Sequence, residues 1–356
     1  MRQGTDGRRS DLDWMRLALV LAVVPLGCAR ALGLAQGPAS GAAGLAAAAQ
    51  KAVLWIMPLF FMVSAGSARH ALDRLWTRGF LVARVLRLFV PLVVAALVLG
   101  ACSAVGIAST ALVEESLGWF PWYLVGLFVF SFLLPPLRFA LRLPRVRRFL
   151  SGLAAAATVP GVLQLAGALP AAAAVVPVLP GTPKILAAGG WGVSFYALVF
   201  LASFLLYGEQ RLIERAARQR GWSVLFGALF LAGAAAARRA PAVPEAATAA
   251  MRAMASWSLT LAFLGFSARR LSAARAVPRV LTEASLPFSV LAQPVAGLLA
   301  AAAAAWQAPA GLKLALLFAA TFLAVAALYA AVRRVTVLRF CFGLTPLPAD
   351  TQGGSS

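Results

Sequence analysis

DLDWMRLALVLAVVPLGCARAL, Asp11 to Leu32, sets the pattern that the rest of the chain follows. It opens on an acidic, aromatic and basic cluster (Asp13, Trp14, Arg16) and then runs apolar until Arg30. An apolar run of about twenty residues is long enough to cross the hydrocarbon core of a bilayer. Arg16 lies just inside the start of that run, where a charge is costly unless it snorkels to the interface or serves a purpose.

Outward from this stretch the chain repeats the apolar half of the pattern. Of its 356 residues, 62% are hydrophobic and only 12% charged, and the mean hydropathy is +0.87. A soluble domain carries about a quarter charged residues, so the composition describes a polytopic membrane protein. The net charge of +21 would suggest nucleic acid in a soluble protein. Here the arginines cluster between apolar runs, where they act as topology signals and as a basic face toward anionic lipid headgroups. Too little polar surface remains to read bases, so nucleic acid is excluded as a partner.

Ten candidate helices follow from the apolar runs, near 14–34, 42–66, 85–108, 119–137, 150–178, 185–207, 222–237, 251–267, 281–304 and 312–332. The fifth is interrupted by Pro160, Gly161 and Pro170, and the seventh is short and alanine-rich. Arginine placement tests the count independently. With a cytoplasmic N-terminus carrying Arg2, Arg8 and Arg9, every second connection should be basic. All five are, beginning with Arg69, Arg74, Arg78, Arg84 and Arg87 after the second run. The opposite connections 109–118 and 305–311 hold no basic residue, although Arg238, Arg239 and Arg252 break the alternation on the outer side. The expected architecture is therefore an all-α polytopic membrane bundle of about ten transmembrane helices with both termini cytoplasmic. Residues 1–10 form a cytoplasmic N-terminal segment, and the polar tail 346–356 is expected to be disordered.

Arg8-Arg9 resembles a twin-arginine signal and Pro25-Leu26-Gly27-Cys28 a lipoprotein cleavage box. Both describe chains whose mature part is soluble, whereas many apolar runs follow here. Cys28, Cys102 and Cys341 are far apart and form no CxxC pair, and His70 is the single histidine. Neither a disulfide framework nor a metal site is expected.

Several segments together resemble one family. DLDWMRLALVLAVVPLG is similar to the first helix of the acyltransferase-3 family, multispan enzymes that acylate surface sugars, glycans and some secondary metabolites. The likeness continues through MPLFFMVSAGSARHAL (57–72), RGFLVARVLRLFVPLV (78–93) and WFPWYLVGLFVFSFLLPPL (119–137). It extends through FLLYGEQRLIERAARQRG (204–221), EASLPFSVLAQPVAGLL (283–299) and LRFCFGL (338–344). The resemblance implies a single acyltransferase-3-like transmembrane domain over 11–345. It implies an acyl-coenzyme A donor, acetyl-coenzyme A foremost, and O-acetylation of a hydroxyl on a glycan, lipid or metabolite. It also implies residence in the bacterial plasma (inner) membrane.

In such enzymes the first helix carries an arginine and, eleven positions on, a histidine that serves as catalytic base. Imidazole suits the task, because a hydroxyl nucleophile needs a base with a pKa near neutrality. Arg16 is present in this chain, but the histidine position is Gly27. Two further family histidines are replaced by Leu117, ahead of Trp119-Phe120, and by Ala292, ahead of Gln293-Pro294. The matching residues that remain are Arg84 and Arg87, which the resemblance makes phosphate ligands for the coenzyme. Their other reading is that of snorkelling topology charges. Ser64 opens the Ser64-Ala65-Gly66 step where a donor would enter. Arg16 and Asp13 are catalytic candidates, with Asp13 alternatively an ion-pair partner or helix cap. His70 is the candidate replacement base, or else a solvated loop histidine. Cys28 is an acylation candidate or a small buried filler.

Three functions stay open: an active acyltransferase, a catalytically silent relative with a binding or regulatory role, and a transporter. The spans hold few of the acidic residues or broken helices that ion-coupled carriers use.

Overall fold

The computed structural model describes residues 10–37, 40–94, 96–97, 121–175, 191–240, 242–271 and 277–342. The expectations placed on 1–9, on half of the third run, on the connection 109–118 with Leu117 and on the tail 346–356 lie outside these residues. Every regular element among the described residues is helical.

In chain order the helices are α1 (Ser10–Gln36), α2 (Gly41–Arg74), α3 (Thr77–Arg84), a π-helical turn (Val85–Phe89), α4 (Pro121–Ser131), α5 (Leu134–Ala140), α6 (Pro144–Ala156), α7 (Val162–Val175), α8 (Val193–Gly208), α9 (Gln210–Arg218), α10 (Arg220–Ala237), α11 (Glu245–Arg270), α12 (Arg279–Ala303), α13 (Ala310–Arg334) and α14 (Thr336–Cys341). Seven stretches among the described residues are long and apolar enough to cross a membrane: α1, α2, Trp122–Ala140, α10, α11, Val280–Ala303 and α13. The described residues are thus all-helical, and these long apolar helices are those of an integral membrane protein.

One expectation needs correcting. The run 150–178 is not one helix: α6 ends at Ala156 and α7 begins at Val162. The break falls at Gly161, whose φ of +98° is a conformation that a residue with a Cβ adopts only at a cost. Gln164 secures this corner. Its carbonyl oxygen accepts the Gly161 N–H at 3.0 Å, and its amide nitrogen donates to Ser223 Oγ at 2.8 Å. The run expected to end near 207 does end there, with α8 closing at Gly208. After α8 the chain bends by 104° into α9, a short amphipathic helix that buries Leu212, Ile213 and Ala216 and exposes Arg211, Glu214 and Arg218.

The chain divides into two compact units. The first takes α1 up to Val23, α2 from Gln50 to Phe80 in α3, and Val129 to Pro278. Its core is aromatic. Phe195, Tyr196, Phe200 and Phe204 of α8 are buried, with Phe61 of α2 5.0 Å from Tyr196 and 5.7 Å from Phe130 between ring centroids. Trp191 donates its indole N–H to the Leu54 carbonyl at 2.8 Å. Small residues let the helices approach, as in other membrane bundles. A Cβ on Gly167 would collide with the Trp257 indole, and one on Gly66 would lie 2.8 Å from the Tyr207 ring.

The second unit takes α1 from Val24, α2 up to Ala49, Leu81 to Phe128, and the chain from Arg279. Its core packs Val24, Cys28 and Leu32 of α1 against Ala292, Ala296 and Ala300 of α12 and Leu317 and Val325 of α13. Alanines spaced by four present one smooth face of α12, which brings α1 close. Phe288, 5.3 Å from Phe322, closes the other side.

Candidate functional site

Arg16 sits on the second turn of α1, half-buried, and its guanidinium donates to Ser67 Oγ on α2 at 2.8 Å. Ser67 in turn donates to the Val63 carbonyl at 3.0 Å. The hydroxyl is thereby oriented with its lone pairs toward the arginine. A charge within a span is tolerated when it is held this way. Three residues to either side of Ser67 along α2 stand Ser64 and His70, and residues three apart on a helix share a face. The first unit therefore brings Arg16, Ser64, Ser67 and His70 to one side of α2. Ser64 is buried and His70 half-buried. His70 lies inside the helix, so its reading as a loop histidine is corrected. The neighbouring Arg69 is engaged elsewhere, 3.3 Å from Asp73 and over the Phe204 ring at 5.2 Å. Asp13 stands in the first turn of α1, where a carboxylate favours the positive end of the helix dipole.

Arg84 and Arg87 belong to the second unit. Arg84 closes α3, half-buried, and Arg87 lies exposed within the π-helical turn Val85–Phe89. Such turns widen the backbone spiral and recur at functional positions.

The vacated base position is also in the second unit. Gly27 is buried within α1, and the space a side chain would take there is filled. A Cβ built on Gly27 meets Nε2, Oε1 and Cδ of Gln293, the last at 2.6 Å. The amide of α12 thus lies where any side chain at position 27 would begin. Gln293 is itself only 8% exposed. The adjoining Cys28 is fully buried and donates to Thr321 Oγ1 at 3.6 Å, which fits a small filler of the core and leaves no access for an acyl donor. Glu283, another carboxylate of the late segment, lies 4.0 Å from Arg339 in an ion pair. Among the described residues no group of three or more His, Cys, Asp or Glu side chains is placed to hold a metal ion.

Two of these participants were not singled out from the sequence. Ser67 carries a signal, since Ser64 and Ser67 are one turn apart in a segment otherwise apolar. Gln293 stood beside the missing histidine, and nothing in the sequence told that its side chain reaches across to Gly27.

A family model described as "Acyltransferase domain", that of the acyltransferase-3 family, matches residues 9–332. Neither a curated protein nor a solved structure matches the chain.

Proposed function

The chain belongs to the acyltransferase-3 family, and from that premise we propose that it is a membrane-embedded acyltransferase. The proposed reaction moves an acyl group, acetyl foremost, from cytoplasmic acyl-coenzyme A to a hydroxyl of a glycan, lipid or metabolite. The observation that carries the proposal is Arg16: a guanidinium at the family's motif position, kept inside a span and fixed by Ser67 at 2.8 Å. A bare topology charge would be free to snorkel. Held as it is, the guanidinium is pre-organised to stabilise negative charge developing on a thioester oxygen.

In the proposed step the acceptor oxygen attacks the thioester carbon, the C–O bond forms and the C–S bond breaks. His70, three residues along α2 from Ser67, accepts the hydroxyl proton and returns it to the departing coenzyme thiolate. Ser64 helps to orient the donor; Arg84 and Arg87 are proposed as phosphate ligands of the coenzyme on the chemistry of their planar guanidinium groups. One transmembrane domain over 11–345 with ten spans and both ends cytoplasmic, in the bacterial plasma membrane, is the topology proposed with it. The basic connections support that orientation.

One observation favours a second reading, a catalytically silent relative that binds or regulates. It is Gln293, whose amide fills the space beside Gly27, the position where the resemblance leads one to expect a histidine. The experiment that separates the two incubates membranes containing the full chain with radiolabelled acetyl-coenzyme A. An enzyme labels a lipid, glycan or metabolite fraction, and Arg16→Ala abolishes the labelling. A silent relative labels nothing.

A further inference from the structure

Remote from Arg16 along the chain, the first unit carries a second basic place. α8 turns by 104° into α9, α9 packs back on α11, and α10 starts directly behind it. The approach is backbone-close at Gly265, where an added Cβ would strike the Ala216 carbonyl. An open groove of about 630 Å³ results, lined among others by Arg218, Arg220, Trp222, Leu225, Phe266 and Arg269. That volume falls in the range of small-ligand sites, roughly 300–1,000 Å³.

The charges in the groove are organised. The Phe266 ring lies beneath Arg220 at 5.5 Å and beneath Arg270 at 5.8 Å. Arg220 also donates to the Ala217 carbonyl at 2.8 Å. Cation–π contacts of this kind hold a guanidinium without neutralising it. Among the described residues no carboxylate pairs with Arg218, Arg220, Arg269 or Arg270. Positive groups gathered without a counter-ion repel one another and are relieved by a bound anion. The remaining wall is apolar and open: Trp222 is 47% and Leu225 45% exposed. Both stand on the first turns of α10, a candidate span. Tryptophan is characteristic of the headgroup level of a bilayer, and α9 has the amphipathic form of a helix lying in that plane. Charge on one wall and exposed apolar side chains on the other match a lipid: a phosphate with an acyl chain attached.

We propose that this groove binds one anionic glycerophospholipid, its phosphate on Arg218, Arg220 and Arg269 and an acyl chain along Trp222 and Leu225. Basic pockets between spans are suited to such headgroups. The site requires neither Arg16 nor a thioester, so it stands or falls separately from the acyl transfer.

The test uses the full chain in a neutral detergent and native mass spectrometry with phosphatidylglycerol or phosphatidylcholine of equal chain length. The wild type should retain phosphatidylglycerol about tenfold more strongly. The double variant Arg218→Gln/Arg269→Gln should lose that preference, and Arg218→Lys/Arg269→Lys should keep most of it. Thermal unfolding of the wild type with each lipid gives a readout that does not depend on the variants, and only the anionic lipid should raise its midpoint. Equal retention of the two lipids by the wild type would overturn the site, as would an undiminished preference in the glutamine variant. Displacement of the lipid by millimolar inorganic pyrophosphate would also overturn it, by assigning the arginines to a soluble phosphate.

Discussion

Restoring a histidine at position 27 will not by itself restore a family-like base, because Gln293 already fills the space. The collision can be worked from the smallest substitution, Gly27→Ala. Its Cβ would lie 2.6 Å from Gln293 Cδ, about an ångström inside ordinary carbon contact. Gln293 is buried, so it moves only by displacing its neighbours, and overpacking of this kind costs about 1–3 kcal/mol. Alanine gains about 1 kcal/mol over glycine in a helix interior, so the net loss is about 0–2 kcal/mol. In a Gln293→Ala background the collision disappears while the helix gain remains, and the same substitution becomes stabilising. The two changes should therefore be coupled by about 1–3 kcal/mol. Thermal unfolding of the four members of the cycle in detergent measures this. Gly27→His should unfold earlier than wild type and add no thioester cleavage, whereas Gly27→His/Gln293→Ala should recover stability and raise cleavage. If the two alanine substitutions added independently, Gln293 would not lie over Gly27 and the account of the vacated position would be wrong.

Three further outcomes follow from the same geometry. Ser67→Ala removes the acceptor that fixes Arg16 and should lower acyl transfer by about ten- to a hundredfold while leaving the helical signal in circular dichroism intact, since a hydrogen bond to a charged group is worth about 1.5–3 kcal/mol. Arg84→Ala/Arg87→Ala should raise the KM for acyl-coenzyme A more than it lowers kcat, as expected for a pair that binds phosphates rather than reacts. Gln164→Leu strips both the Gly161 N–H and Ser223 of a buried partner and should destabilise the fold by about 1–3 kcal/mol, read as an earlier unfolding midpoint with acyl-coenzyme A affinity unchanged.

The spans were legible because their signal is additive: α1, α11 and α13 each hold enough consecutive apolar residues to be found by length alone. The break between α6 and α7 was legible only in part. Pro160, Gly161 and Pro170 marked an interruption, but the positive φ of Gly161 decides where the chain turns. The bend before α9 had a signal too, since Leu212, Ile213 and Ala216 follow a helical period while Arg211, Glu214 and Arg218 oppose them. What spacing does not carry is the identity of contacts across helices. Arg16 was recognisable by its position, but its partner Ser67 is set by how α1 packs on α2. Gln293 reaches Gly27 because Ala292, Ala296 and Ala300 let α12 approach α1. That approach is a property of the packed pair rather than of either segment.

The central claim is that Arg16, held by Ser67, serves a thioester reaction. Coenzyme A release by the purified full chain, measured across a panel of acyl-coenzyme A donors with and without Arg16→Ala, tests it most directly. Donor-dependent release that the substitution removes while the protein stays folded is the expected result. Release that persists undiminished in the Arg16 variant, or none from the wild type with any donor, would contradict it.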